Sequence, residues 1–172
     1  MSENTNKKIV LIDGHSILNR AFFGLPDLTN SEGLHTNAIY GFLTIMFKIL
    51  DEEKPDYVTV AFDLSAPTFR HKTYAEYKGT RKPMMEELRE QVPVIKELLQ
   101  KMNITTVELP GYEADDVIGT LSKKGEKAGM EVDVISGDRD LLQLASDHIT
   151  ICIPKTKKGQ TTVAVSYTHL TL

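Results

Sequence analysis

Tryptophan is missing from the 172 residues, and cysteine occurs once, at Cys152. A lone cysteine closes no disulfide within the chain, which excludes a fold stapled by covalent bridges. Its place in the apolar run 148–153 predicts a buried strand thiol in a reducing compartment. No stretch approaches the roughly 20 apolar residues that cross a bilayer. Residues 1–8 are polar and lack the apolar centre of a signal peptide. A cytoplasmic protein without a membrane partner is expected. Zinc-type clusters of histidine and cysteine are absent as well, and so are repeats and low-complexity segments.

What is present suits one α/β domain with a real core: 41% hydrophobic and 26% charged residues. A net charge of −4 argues mildly against a nucleic-acid partner. The placement of charge matters more than its sum. Residues 68–82 hold Arg70, Lys72, Lys78, Arg81 and Lys82 against the single acid Glu76, a local net of +4. The acids gather elsewhere, several of them straight after strand-like runs.

Those runs alternate with helical patterns. Residues 8–12 (KIVLI), 57–62 (YVTVAF), 104–109 (ITTVEL), 131–136 (EVDVIS) and 148–153 read as strands. Helical spacing marks 36–53, where Ile39, Phe42, Leu43, Met46, Phe47 and Leu50 recur, and also 84–102 and 113–128. Pro93 is expected to start a new helix or to kink the second of these. Residues 138–144 form a short helix, and another, carrying Arg20, follows Asp13. Residues 68–83 have no clean period and read as an exposed connection. Alternation of this kind predicts a mostly parallel sheet with helices on both faces.

Asp13, Asp63 and Asp138 each fall just past a strand, at the sheet edge where open α/β folds bind ligands. Asp140 lies two residues beyond Asp138. Glu113, Asp115 and Asp116 open a helix at a further strand end, with Glu113 and Asp116 on one face and Asp115 to the side. Any one of these is by itself a turn former or helix N-cap. Together they place seven carboxylates on one rim. Two bare carboxylates about 5 Å apart repel by roughly 3 kcal/mol at an effective dielectric near 20. Hard divalent ions, Mg²⁺ or Mn²⁺, resolve that repulsion through oxygen ligands.

Two such ions suit in-line attack on a phosphodiester. Arg20 is a candidate phosphate clamp. The basic segment leaves the second strand directly after Asp63 and interleaves Arg70, Lys78 and Arg81 with Tyr74 and Tyr77. Cations among aromatics suit a single strand, whose bases stack while its phosphates pair. His15 and His71 stand alone and are expected in solvent or in hydrogen bonds.

The blocks Leu11-Ile12-Asp13-Gly14-His15-Ser16, Asn19-Arg20-Ala21-Phe22, Val60-Ala61-Phe62-Asp63, Thr68-Phe69-Arg70 and Tyr77-Lys78-Gly79-Thr80-Arg81 resemble the 5′-nuclease domain of bacterial DNA polymerase I. So do 111–116 (GYEADD) and 136–144 (SGDRDLLQL), the most specific of the set. The resemblance implies a resolvase-like (PIN-like) core that removes 5′ flaps or RNA primers from branched DNA, as a monomer. It implies that all seven acids serve a two-metal site and that Arg20 contacts phosphate. It implies that Lys78 and Arg81, with Tyr77 among them, belong to an arch over 68–92 around the 5′ strand. In the family, two further acids for the second metal and a helix–hairpin–helix follow beyond this length. Residues 164–172 depart from the family pattern and are expected to lie outside the fold, which then spans 1–163.

A second reading is a DNA-binding fragment without turnover, as the missing acids permit. A third is a phosphatase with an aspartyl nucleophile. That chemistry wants Asp-x-Asp after the first strand, and the residue two beyond Asp13 is His15.

Overall fold

The computed structural model describes residues 7–64, 68, 69, 73, 83–157 and 160–166. In chain order these form β1 (Lys8–Asp13), α1 (Gly14–Gly24), α2 (Asn37–Glu53), β2 (Tyr57–Ala61), α3 (Glu86–Arg89), α4 (Gln91–Lys101), β3 (Thr105–Val107), α5 (Ala114–Lys127), β4 (Glu131–Ile135), a 3₁₀ helix (Arg139–Leu144), β5 (Ile149–Lys157) and β6 (Gln160–Ser166). Among the described residues no helix is long and apolar enough to cross a membrane.

One sheet runs in the order β3-β2-β1-β4-β5-β6. The strands β1 to β5 pair in parallel, as the alternation predicts, and β6 returns antiparallel to β5. Strand side chains alternate between faces. Val10, Ile12, Val60 and Phe62 therefore pack with Phe42, Met46, Ile95 and Leu99 of α2 and α4. Leu11, Val132 and Val134 face the other way, against Val117 and Ile118 of α5. Two cores on one sheet explain why the strands read as continuous apolar runs.

Element ends follow local chemistry. Lys54 closes α2 in the left-handed conformation (φ 44°), and Pro55 blocks continuation. The helical pattern over 84–102 divides at Glu90 rather than at Pro93. Pro93 is the third residue of α4, in a first turn where its missing N–H has no intrahelical acceptor to lose. Buried Gln91 caps α2 from outside: its Oε1 accepts from Ala38 N at 2.9 Å and from Ile39 N at 3.2 Å.

The sheet extends beyond the boundary expected at residue 163. Strand β6 ends at Ser166, so Ala164, Val165 and Ser166 pair with β5 instead of lying outside the fold. The run Thr162-Val163-Ala164-Val165 suits an extended strand, and the open edge of β5 supplies the hydrogen bonds.

The strand order decides where a ligand fits. From β1 the chain moves outward through β2 and β3, then returns to the opposite side of β1 as β4. Helix α1 leaves β1 toward one face, while α5 covers the other. A crevice opens between them beyond the C-terminal ends of β1 and β4.

Candidate active site

Asp13 is the last residue of β1 and the N-cap of α1, and it is 6% exposed. Its Oδ1 accepts from Ser16 N at 3.0 Å, and its Oδ2 from Ser136 Oγ at 2.8 Å. Fully buried Ser136 follows β4, and its Oγ also accepts from Asp138 N at 3.0 Å. Ser16 Oγ accepts from Gly137 N at 2.9 Å. Two serines thus bind the start of α1 to the exit of β4 across the crevice. Neither was a candidate from sequence. The signal was present as Asp-x-x-Ser at a helix start and Ser-x-Asp after a strand.

Asp63 lies two residues past β2. Its N–H donates to His15 Nδ1 at 3.1 Å, and its Oδ1 accepts from Ala114 N at 2.7 Å. A carboxylate from one strand end therefore caps a helix that begins after another. Burial holds the His15 imidazole below its usual pKa, and its ring meets Phe62 edge-on. The hydrogen-bonding role expected of His15 is the one it fills. Asp138 caps the 3₁₀ helix, its Oδ1 accepting from Asp140 N at 2.9 Å. Capping a turn and binding an ion are compatible roles for these aspartates, since each cap uses one carboxylate oxygen.

Asp13, Asp63, Glu113, Asp115 and Asp138 line a single cleft of about 420 Å³, with His15, Asn19 and Arg139. Burial, and then repulsion from Asp13, Asp138, Asp63 and Glu113, pushes the Asp115 carboxyl up to about 7. Burial pushes Asp13 up to about 6, against the pull of its bonds to Ser16 and Ser136.

Asp116 and Asp140 do not line this cleft. They face an adjoining depression of about 830 Å³ shared with Glu113, Asp115, Lys123 and Lys127. The single rim of seven acids is thus five and two. Asp115 and Asp116 diverge by about 100° around the helix axis. Asp116 also turns back so that its Oδ2 accepts from Glu113 N at 3.0 Å. The side chain that meets the strand-end acids is Asp115, the one expected to point aside. Among the described residues, no three histidine, cysteine or acidic side chains close on one point as a ready coordination sphere. The carboxylates line the cleft together without closing on one point. A lining of five carboxylates, two of them raised in pKa by burial and mutual repulsion, fits a hard divalent cation.

Arg20 packs beside Gly137, which lines the cleft. A Cβ at Gly137 would stand 3.4 Å from Arg20 Nη1 and 3.0 Å from Ser16 Oγ. Among the described residues, the buried Arg20 Nε meets no hydrogen-bond acceptor. Arg70, Tyr77, Lys78 and Arg81 lie outside the described residues, as does His71.

The serine staple makes a stability prediction. Ser136→Ala leaves Asp13 Oδ2 and Asp138 N without their partners, and an unsatisfied buried group costs about 1–3 kcal/mol. A fall in melting temperature of about 4–8 °C is expected for a domain of this size. An unchanged melt would show that water replaces the hydroxyl.

Residues 8–169 match the model of the 5′-3′ exonuclease N-terminal resolvase-like domain. The chain belongs to this family. This 5′-3′ exonuclease N-terminal domain is 55% identical to DNA polymerase I of Bacillus subtilis over 91% of its length, and covers 18% of that protein. It is 47% identical to a 5′-3′ exonuclease of Aquifex aeolicus over 86% of its length, covering 51% of that relative. It therefore spans a small part of the polymerases and about half of the smaller nuclease. The resolvase-like fold also matches the T5 5′-exonuclease with bound divalent zinc ions, at TM-score 0.65 and 24% identity, over 84% of this chain and 54% of that one.

Proposed function

We propose that this domain is the hydrolytic, metal-dependent part of a 5′-nuclease, which cuts phosphodiester bonds in DNA bearing a free 5′ end or flap. The observation that carries the reading is the cleft in which four chain segments bring together Asp13, Asp63, Glu113 with Asp115, and Asp138, where burial and the neighbouring carboxylates push Asp115 up to about 7. Perturbation of that kind, in a cleft, marks functional groups. A cleft lined by five acids repels phosphate until cations neutralise it.

Asp13, Asp63, Glu113, Asp115 and Asp138 would hold the ion or ions, Mg²⁺ or Mn²⁺, with Asp116 and Asp140 flanking them. A divalent ion there would supply Lewis acidity toward the phosphodiester. The protein's own part is orientation. Ser16 and Ser136 fix both oxygens of Asp13, and His15 and Ala114 fix the backbone and one oxygen of Asp63. The N-termini of α1 and α5 add positive potential at the cleft. Arg20, Lys78 and Arg81 are assigned to phosphate, and Arg70 and Tyr77 to the single strand. Family membership supports the reading. So does the T5 flap endonuclease, a fold neighbour at TM-score 0.64 and 23% identity over 84% of this chain and 54% of that one, described in a pseudo-enzyme-product complex with DNA and metal ions. The same reading implies a monomer in the cytoplasm, with an RNA primer as a further substrate.

The test is a 5′-flap DNA incubated with Mg²⁺ or with EDTA, using the parent chain, Asp116→Ala and Asp138→Ala. Cleavage is expected only with metal, and to be lost in both variants. Cleavage that survives EDTA sinks the proposal. Binding without cleavage in the parent would leave a DNA-binding fragment, and phosphate release from a small ester a phosphatase.

A further inference from the structure

Two aromatic rings stand half in solvent on segments that carry lining residues of the acidic cleft, and the hydrolytic groups use neither. Phe69 is 45% exposed and Tyr112 49%. Their ring centroids are 5.7 Å apart with planes inclined at 55°. The backbone joins them, since Phe69 N donates to Gly111 O at 2.9 Å. Gly111 adopts φ +86°, a left-handed bend that suits glycine, and Tyr112 N reaches back to Leu109 O at 3.2 Å. The pair is held in place by a turn.

Its position relates it to the acids. Tyr112 immediately precedes Glu113, about 3.8 Å away between Cα atoms. Glu113 has extended backbone (φ −91°, ψ 160°), so the two side chains diverge. Glu113 lines the cleft, and the Tyr112 ring turns instead to Phe69. Phe69 follows Asp63 by six residues and is anchored beside Thr68, which is 6% exposed. Leu109, whose carbonyl accepts from Tyr112 N, is 46% exposed. Burying an aromatic ring is among the most favourable steps in folding, so a half-exposed ring pair joined to a polar cleft points to recognition.

We propose that Phe69 and Tyr112 form a stacking platform for an unpaired nucleobase of the strand whose phosphate enters the cleft. This rests on the nuclease reading above. Every base has a flat π-face, so stacking tolerates any sequence. The half exposure of each ring gives a base apolar surface to cover. A base inside an intact duplex is already stacked on both sides. The platform therefore favours a frayed or single-stranded 5′ segment, and it gives the site a preference that the carboxylates alone cannot provide.

The test uses 5′-flap DNA with a non-cleavable linkage at the scissile position, in Mg²⁺, with abasic residues placed one at a time around that linkage. Dissociation constants come from anisotropy for the parent, Tyr112→Leu, Tyr112→Phe and Phe69→Leu. At one nucleotide, base removal is expected to weaken parent binding on the order of tenfold. Tyr112→Leu should show the same loss on intact DNA and no further loss on that abasic DNA, while Tyr112→Phe keeps the parent pattern. Phe69→Leu tests the second ring independently, and melting curves verify that each variant is folded. An equal abasic effect in parent and both leucine variants overturns the platform while leaving the nuclease reading intact. A parent that neither binds nor cuts flap DNA overturns both.

Discussion

Asp115→Asn is expected to raise the melting temperature of the metal-free protein while reducing metal-dependent cleavage by more than about 100-fold, the upper end of what loss of an outer-shell ligand partner costs. The sign follows from linkage. The folded protein holds the Asp115 proton up to about 7, whereas the ordinary value is 3.8. Between those values the folded state binds more protons than the unfolded chain, so stability falls as pH rises from about 4 through 7. Asp13, raised to about 6, adds to the same slope over the lower part of that window. Above the window the repulsion is fully developed, and below it the repulsion is gone. Each tenfold change in proton affinity corresponds to about 1.4 kcal/mol. Asp115 is partly solvated, so screening leaves about half of the nominal figure, about 2 kcal/mol. Asparagine also gives up a favourable charge in the first turn of α5, worth about 0.3–1 kcal/mol. A net gain of about 1 kcal/mol is expected, a rise of roughly 2–4 °C at pH 8 that vanishes near pH 4. Melting curves in EDTA across that range check it. A variant no more stable than the parent at pH 8 would mean that the carboxylates do not crowd one another.

Gly14→Ala should be strongly destabilising, with the closest approach that an added Cβ makes at any of the described glycines. An added Cβ would lie 2.3 Å from Phe62 Cε1, 2.5 Å from Cδ1 and 2.8 Å from Cζ. Phe62 is 1% exposed, with His15 on its edge and Lys96 Nζ 5.0 Å from its ring centre. The ring has nowhere to go without moving α1 or the end of β2. Overpacking a rigid core costs about 1–3 kcal/mol and occasionally more. The upper end is expected here, lowering the melting temperature by roughly 6–12 °C. Asp13 and His15 flank the site, so the cleft should loosen too. Adding Phe62→Leu ought to recover part of the loss, because the two changes share one space. A Gly14→Ala protein that melts within about 2 °C of the parent contradicts the close approach.

The sheet and the ends of its parallel strands were legible in the sequence because both are local. A buried parallel strand needs an unbroken apolar run, and an aspartate or glycine directly after it marks the sheet edge. By that logic all seven acids belonged on one rim before any coordinates, and one cleft holds five of them, Asp13, Asp63, Glu113, Asp115 and Asp138. Strand β6 was less visible. Its last residues, from Ala164, depart from the family pattern, and only the open edge of β5 shows what they pair with.

Other features depend on neighbours far apart in the chain. The direction of Asp115 rather than Asp116 into the cleft is set by helix phase together with the bond from Glu113 N to Asp116. Asp63 caps α5 across 51 residues, and Ser136 meets Asp13 across 123. Gly14 reads locally as a turn residue, yet the ring of Phe62, 48 positions away, is what excludes a side chain there. Composition and periodicity record each residue's preference for water or oil and for strand or helix. Which oxygen faces which hydrogen is decided when the strands cross over and bring their ends together. The sequence alone therefore determined the class of fold and the acid-lined edge, and the packed structure decided which carboxylates share a cleft and what holds them there.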